Sequence, residues 1–246
     1  MCIWLGVREW TFGCCSVARR TFPDYNDEHP LNDACRNGHL AVAKWLVKRL
    51  RLKHNNALLD ACASGHLVIA KWLTERFRLK PDHARAFNNY AFRDACANGH
   101  LAVAEWIANQ FKFTTDDARI WGNYALRSSC QNGHLDVAQW LTNRFQLTQA
   151  DVRTRGIVYH TLLELTCMNG HLDIAKWLTE QFQLSLSDIG LFALDHICKD
   201  SHLHVARWIV ERFPMTKDDA CVLRDEACKE KFPAFTQWLV NHFQLL

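Results

Sequence analysis

The chain contains no long apolar run. None of its 246 residues lies in an uninterrupted apolar stretch of the roughly 18 residues that a membrane-spanning helix requires. The start of the chain, MCIWLGVREWTF, carries Arg8 and Glu9 inside its apolar stretch, so it does not resemble a signal peptide. We therefore expect an intracellular, cytoplasmic protein that does not associate with membranes.

The chain also lacks a strong charge of either sign. Its net charge is +3, and the basic excess is confined to residues 1–80, which hold 13 Lys and Arg against 7 Asp and Glu. Nucleic-acid-binding domains usually carry a larger basic excess, so nucleic-acid association is an alternative that this charge disfavours. The residues that would support it also suit helix C termini, and they are Lys48, Arg49, Arg51, Lys53, Arg76, Arg78 and Lys80.

Motifs that support catalysis are absent as well. The sequence contains no G-x-S-x-G, no phosphate-binding G-x-x-x-x-G-K and no H-E-x-x-H. No pair of carboxylates departs from the local pattern in a way that indicates a pocket. We predict that the protein is not an enzyme and binds no cofactor.

What the chain has instead is one unit written seven times, A-C-x-N-G-H-L-x-V-A-x-W-L-x-x-R-F-x-L, at steps of 27 to 37 residues. A period of this length indicates a solenoid, in which each unit buries its apolar face against its neighbours. Each unit has a cysteine and, ten residues later, a tryptophan. The cysteines are Cys35, Cys62, Cys96, Cys130, Cys167, Cys198 and Cys228, and the tryptophans are Trp45, Trp72, Trp106, Trp140, Trp177, Trp208 and Trp238.

Two helical patterns make up each unit, and an Asn-Gly separates them. In the fourth copy, NYALRSSCQN and HLDVAQWLTNRF both place apolar residues at helical spacing on either side of Gly133. Glycine can adopt the left-handed conformation that ends a helix, so each unit should form a helical hairpin. Stacked hairpins should bury the Trp and Leu of one copy against the Ala and Cys of the next. The equivalent glycines are Gly38, Gly65, Gly99 and Gly170.

The unit resembles the ankyrin repeat. DACANGHLAVAEWI at 94–107 and TCMNGHLDIAKWL at 166–178 are similar to the ankyrin core A-A-x-x-G-H-L-x-V-V-x-x-L-L, with Cys in the second Ala slot and Trp in the first Leu slot. The resemblance covers most of residues 31–246. W-L, F-x-L-T and D-A-R-x-x-x-N-Y-A-L further resemble the ankyrin arrays of large DNA viruses of amoebae and of some protists, which would place a viral protein in the host cytoplasm. The resemblance implies an all-α solenoid of about seven stacked helical hairpins.

One part of the ankyrin pattern is missing. The Gly-Ala-Asp-x-Asn and D-x-x-G-x-T-P-L-H of the ankyrin β-finger do not occur, and segments such as FTTDDARIWGNYAL and LTQADVRTRGIVYHTL stand in their place. Thr114 and Thr148 precede acids in a pattern that starts helices. We predict that short helices or loops replace the β-fingers, with a helix at about 116–121 and little or no sheet.

The repeats set the predicted boundaries. Residues 1–30 lack the pattern, and TFPDYNDEHP within them is typical of a loop, so we assign them to an atypical N-terminal cap segment. Residues 31–246 form one repeat array without a linker. Its last copy replaces Gly-His-Leu with Lys231, Phe232 and Pro233, which predicts a C-terminal capping repeat from about residue 220.

We consider two chemical roles for the repeated Cys and His besides a structural one: a zinc site and reactive thiols. A zinc site needs four converging ligands, whereas the pattern supplies one Cys and one His per layer and no C-x-x-C pair, so we predict no metal. We expect the seven cysteines in register to be buried, reduced and unreactive. The histidines should cap or bridge the turn between helices. Cys2, Cys14 and Cys15 lie outside the repeats, and covalent modification of their thiols stays an alternative.

Protein recognition is therefore the predicted function, either as a scaffold or as an adaptor that redirects a host or cellular factor. In the ankyrin family, the residue after the second Ala slot and the fingers line the concave face, so we expect the partner to bind along the concave or finger-side face. We expect a monomer and a protein partner, with self-association through the end repeats as a further alternative. The candidate residues include aromatics and Arg, which often anchor interfaces; they are Arg36, Phe87, Trp121, Gln131, Arg155, Tyr159, Met168, Lys199 and Lys229, with Trp121 and the expansion at 154–160 preferred because they do not repeat.

Overall fold

The computed structural model describes residues 29–50, 56–154, 160–189, 202–214, 216–218, 220–221, 224–225 and 233–245. These residues are helices and short connections, with no β-strand among them. The chain divides into two compact units, Met1–Ala91 and Phe92–Leu246, although the sequence repeat runs through the boundary. We therefore describe contacts within each unit separately.

The helices follow the hairpin pattern that the sequence predicts. Up to the unit boundary they are α1 His29–Arg36, α2 Leu40–Leu50, α3 Ala57–Ala63, α4 Leu67–Phe77, α5 Pro81–Ala84 and α6 Ala86–Ala97, which contains the boundary. Beyond it are α7 Leu101–Gln110, α8 Thr115–Gln131, α9 Leu135–Phe145, α10 Gln149–Arg153, α11 Leu162–Met168, α12 Leu172–Phe182, α13 Leu203–Arg212 and α14 Pro233–Phe243.

Five hairpins are described in full, and α13 and α14 are the second helices of the sixth and seventh copies. The predicted all-α stack of helical hairpins is confirmed. The first described helix, α1, begins at His29. Among the described residues, no helix has both the length and the apolar character needed to cross a membrane.

The glycine of each turn is left-handed, as predicted. Gly133 has φ +85°, and the backbone N–H of His134 closes the turn by donating to Ser129 O at 2.9 Å. A second constraint is a close approach from the next repeat. A Cβ on Gly133 would lie 2.7 Å from Cε1 of His171, inside van der Waals contact. The glycine is therefore required both by its backbone conformation and by the ring packed against it.

The histidines bridge neighbouring repeats rather than the two helices of their own hairpin, which corrects the sequence-based expectation. His66 lies at the N-cap of α4 but makes no side-chain capping bond there; its Nε2 lies 3.0 Å from Arg36 O of the preceding copy. His171 repeats the contact, with Nε2 2.9 Å from Gln131 O. Because a carbonyl only accepts, each Nε2 carries the proton and donates.

The cysteine slot is buried, as predicted. Cys35, Cys62, Cys96, Cys130 and Cys167 are all 0% exposed and unpaired to other sulfurs. Burial, with the nearby Asp60 charge, raises the pKa of the Cys35 thiol to about 12, and burial raises the pKa of the other four further still. These thiols act as small apolar side chains. Cys198, Cys228, Cys2, Cys14 and Cys15 lie outside the described residues.

The tryptophan slot, which the stack was predicted to bury, is only half-buried. Trp140 packs edge-to-face on Phe145 of its own copy, with ring centroids 5.8 Å apart, and Trp177 packs in the same way on Phe182 at 6.0 Å. This local pairing leaves part of each indole at the surface. The aliphatic residue after each tryptophan is the one that the stack covers completely, and Leu141 and Leu178 are 0% exposed.

Candidate protein-binding surface at the loop edge

Short helices stand where ankyrin repeats carry β-fingers, as predicted. We call the connections between hairpins in the second unit, residues 114–124, 148–154 and 185–189, the loop edge. The helix expected at 116–121 begins at Thr115 and keeps helical backbone angles as far as Arg119. It ends before Trp121, because Ile120 is extended and Trp121 is left-handed. α10 and a 3₁₀ turn at Leu186–Asp188 occupy the equivalent positions.

An acid three residues into each short helix caps it. Asp151 accepts hydrogen bonds from the backbone N–H and the hydroxyl of Thr148 at 2.8 and 3.0 Å. Asp188 accepts from Ser185 in the same way, at 2.9 and 3.1 Å. Thr148 occupies the N-cap position of α10, as the sequence pattern predicts, but its side chain accepts no capping bond; Asp151 accepts both bonds from Thr148. A carboxylate at a helix N terminus is further favoured by the helix macrodipole.

The same acids bind arginines of the preceding repeat. Arg119 donates from Nε and Nη2 to the two carboxylate oxygens of Asp151 at 2.7 and 3.0 Å. Arg153, two residues after Asp151, donates in the same geometry to Asp188 at 2.8 and 3.0 Å. The segment 151–153 therefore receives one arginine and supplies the next, and we call the series Arg119, Asp151, Arg153 and Asp188 the Arg–Asp ladder.

The ladder lowers the pKa of its acids. The hydrogen bonds from Arg119 and Thr148 outweigh burial and hold the pKa of Asp151 at about 2. For Asp188, burial opposes the shift, but the bonds from Arg153 and Ser185 still hold its pKa below the usual value. Both carboxylates are thus ionised under all ordinary conditions, and both are buried.

After Arg119 the chain makes a left-handed turn. Trp121, Gly122 and Asn123 have φ values of +56°, +64° and +60°. Such a conformation costs roughly 1–2 kcal/mol for each non-glycine residue, so the surroundings must hold it. Asn123, a residue type that tolerates this region, is buried and donates from Nδ2 to Asp151 O at 2.9 Å. The turn is therefore fastened to the next repeat.

Trp121 projects from this turn onto the side chain of a buried arginine. Its indole is 52% exposed, whereas Arg93 is 5% exposed and its guanidinium carbon lies 4.2 Å from the indole centroid. Arg93 also lies 4.8 Å from the ring of Tyr124, and the two aromatic rings are perpendicular to each other. Cation–π contacts of this kind are worth about 0.5–2 kcal/mol and fix the indole from below.

Arg127 takes the place of Arg93 in the next copy and is also buried. It donates from Nη1 to Thr154 O at 3.1 Å and from Nη2 to His160 O at 2.8 Å. Burial lowers its pKa, although nearby Glu164 opposes this. The two carbonyls flank the predicted expansion at 154–160, so Arg127 holds both ends of that segment.

The structure separates the predicted site residues. Trp121 and Gln131 are both exposed; Trp121 lies in the left-handed turn, and Gln131 ends the helical segment that follows it, two turns after Tyr124. Met168 is half-buried at the end of α11. Arg36 and Phe87 belong to the first unit, where Arg36 is exposed and paired with Asp60 at 2.6 Å, and Phe87 is 64% exposed. Four predicted residues lie outside the described part of the chain: Arg155, Tyr159, Lys199 and Lys229.

The described basic residues that would support nucleic-acid association lie near helix ends. These five are exposed at or just beyond the C-terminal ends of α2 and α4, where cations favour the helix dipole: Lys48, Arg49, Arg76, Arg78 and Lys80. Arg51 and Lys53 are not among the described residues. Among all the residues that the structure describes, no group of three or more His, Cys, Asp or Glu could hold a metal ion.

Sequence analysis missed the residues that shape the loop edge. Arg93 and Arg127 support it from below, and the Arg–Asp ladder joins its segments. A signal was present, because Asp-x-Arg recurs at 117–119 and 151–153. Only the structure shows that the arginine of one copy pairs with the acid of the next rather than with its own neighbour.

Comparisons with known proteins support the fold. No family model matches the sequence, and no curated protein matches it. Among solved structures, the ankyrin repeat domain of human ASB11 superposes with a TM-score of 0.56, at 20% sequence identity over 74% of this chain and 82% of the ASB11 chain. The viral resemblance stays a prediction. At this level of identity the comparison establishes architecture alone: the chain has the fold of an ankyrin repeat domain.

Proposed function

We propose that the protein is a non-enzymatic recognition module that binds a protein partner through the loop edge, with Trp121 as the anchor. Ankyrin repeat folds are generally protein-interaction modules, which supports the class of function. The observation that carries the proposal is an indole 52% exposed on a turn that the neighbouring repeats hold in place.

The energetics favour Trp121 as an anchor over other exposed apolar residues. Binding interfaces draw most of their free energy from a few Trp, Tyr and Arg side chains. A side chain that is already fixed loses less conformational entropy when the partner arrives. Arg93 below the ring and Asn123 beside it hold Trp121 before any partner binds. Val68 is 66% exposed, but it lies on the regular helix α4 and lacks such support.

The wider role follows from this surface. We propose an adaptor or scaffold role because the loop edge exposes an aromatic anchor and two arginines. That the protein acts inside the cell and as a monomer is proposed from the sequence alone. Nucleic-acid association has weaker support, since its basic residues occupy positions that helix stability explains.

Affinity capture with matched variants tests the proposal. The full chain, Trp121→Ala and Val68→Ala would each be used to capture proteins from the same lysate, with circular dichroism confirming that all three are folded. We expect at least one protein to be captured by the full chain and by Val68→Ala and to be lost with Trp121→Ala. Equal recovery of every captured protein by Trp121→Ala would contradict the role of the loop edge.

A further inference from the structure

The Arg–Asp ladder places its positive charges outside and its negative charges inside. The side chains of Arg119 and Arg153 are each 45% exposed, whereas those of Asp151 and Asp188 are 9% and 10% exposed. Both arginines use Nε and Nη2 to bind the acid. Within the described part of the chain, neither Nη1 makes a hydrogen bond, so each guanidinium keeps donors directed away from the ladder.

Few exposed acids offset these charges. Asp116 is exposed on the first segment, and its charge reaches Arg119. The equivalent positions in the next two segments are Ala150 and Ser187, which carry no charge. Of the charged side chains that the loop edge exposes, Arg119 and Arg153 are positive and Asp116 is negative, whereas Asp117, Asp151 and Asp188 are buried.

The arginines and Trp121 belong to segments of the loop edge that are joined through Asp151. Trp121 lies two residues from Arg119 and two residues from Asn123, and both of these bond to Asp151 of the next repeat. Arg153 follows Asp151 on the same short helix. The turn that carries Trp121 follows Arg119 in one segment of the loop edge, and Arg153 lies in the next segment.

We infer that the partner segment is an acidic peptide, with an aromatic or aliphatic side chain that packs on Trp121 and Asp or Glu residues that bind Arg119 and Arg153. This inference rests on the proposed function and adds the chemistry of the partner. Arginine suits the task because its planar donors match a carboxylate and it stays charged at any physiological pH. The Asp below each arginine fixes the guanidinium, so less entropy is lost when a second carboxylate binds.

Peptide selection tests the inference directly. A displayed library of random peptides would be selected on the full chain, and the affinity of the enriched peptides measured by fluorescence polarisation. We expect enrichment of peptides that combine Asp or Glu with an aromatic or aliphatic residue. Their affinity should fall by about tenfold or more in the double variant Arg119→Gln/Arg153→Gln, and it should weaken between about 50 and about 200 mM salt.

Two controls separate direct contact from damage to the fold. The double variant Arg144→Gln/Arg212→Gln removes the same charge from exposed arginines in the last turns of α9 and α13, and it should leave affinity within about twofold. Asp151→Asn loosens the ladder but keeps both arginines, so it should bind the acidic peptides at least as well as the full chain. Loss of binding in Asp151→Asn equal to that in the Arg119 and Arg153 variant would show that the ladder acts only through structure and would overturn the inference.

The outcomes also distinguish this inference from the proposed function. Enriched peptides that lack acids, or whose affinity survives the loss of both arginines but not Trp121→Ala, would overturn the acidic partner and leave recognition by Trp121 intact. Peptides that bind Trp121→Ala as well as the full chain would contradict the proposed function itself. A library that yields no enriched sequence would overturn the peptide partner.

Discussion

The two ends of each hairpin are built on different principles. At the turn between the two helices, the same glycine and histidine recur from copy to copy, and the histidine ring lies on the glycine of the preceding copy. At the connections between hairpins, the exposed residue on the left-handed turn changes from Phe87 in one copy to Trp121 in the next, whereas the capping acid recurs along the loop edge. The turn is fixed by packing, whereas the loop edge keeps one position open to change.

The difference has a steric cause. A left-handed residue that must also face a ring at contact distance can only be glycine, so Gly133 admits no alternative. Trp121 is left-handed too, but its side chain points away from the core and is half exposed. Its identity is therefore not required for packing, and recognition is free to select it.

The largest expected effect is at the turn. Gly133→Ala forces an alanine into a left-handed conformation and places its Cβ 2.7 Å from the ring of His171. We expect the free energy of unfolding to fall by about 2–4 kcal/mol, measured by urea denaturation.

A double-mutant cycle sharpens this prediction. The three atoms nearest to the added Cβ all belong to the His171 ring. In a His171→Ala background, Gly133→Ala should therefore cost only the backbone term of roughly 1–2 kcal/mol. An equal cost in both backgrounds would show that the ring does not constrain the glycine.

An intermediate effect is expected in the ladder, and it depends on pH. Asp151 has a pKa of about 2 when folded, below its usual value near 3.9 when unfolded. Its ionised form therefore stabilises the fold at pH values above the unfolded pKa, and this contribution is lost as the pH falls toward 2. We expect Asp151→Asn to lower the free energy of unfolding by about 1–3 kcal/mol at pH 7, with a smaller difference from the unmodified chain at pH 3.

Asp116 supplies the control for the ladder. It is exposed in the first segment and is not part of the Arg–Asp ladder. Asp116→Asn should change stability by less than about 0.5 kcal/mol at either pH. A difference for Asp151→Asn that stays constant from pH 7 to pH 3 would contradict the assignment of the stabilisation to its charge.

Most of the fold could be predicted because it depends on local patterns that repeat. The left-handed Gly133, the buried Cys130 and the helix start at Thr115 each follow from residue type and position in the unit. The half-burial of Trp140 could not be predicted, because helical spacing shows which face is apolar but not how much of a large ring the neighbouring repeat covers. The end of the helix before Trp121 was missed since no sequence rule favours tryptophan in a left-handed turn.

The candidate site was predictable only in part, because its geometry depends on contacts between copies. Sequence analysis selected Trp121 as a non-repeating aromatic, and the structure shows it exposed. Arg93 and Arg127 gave no such signal, since a charged residue on a helix is usually at the surface. Their burial arises because each reaches groups of the following repeat, the rings for Arg93 and the carbonyls of 154 and 160 for Arg127.

The smallest expected effect on stability is at the proposed anchor itself. Trp121→Ala removes a half-exposed ring and its contact with Arg93, so we expect a loss of about 1 kcal/mol or less. Trp121→Gly should be more stable than Trp121→Ala by up to about 1 kcal/mol, because glycine adopts the left-handed conformation without strain. Trp140→Ala is the matched control, and it should cost about 3 kcal/mol because that indole packs on Phe92 and Phe145. If Trp121→Ala were as destabilising as Trp140→Ala, Trp121 would be a packing residue, and the distinction between a fixed turn and an open loop edge would fail at the residue on which recognition is proposed to depend.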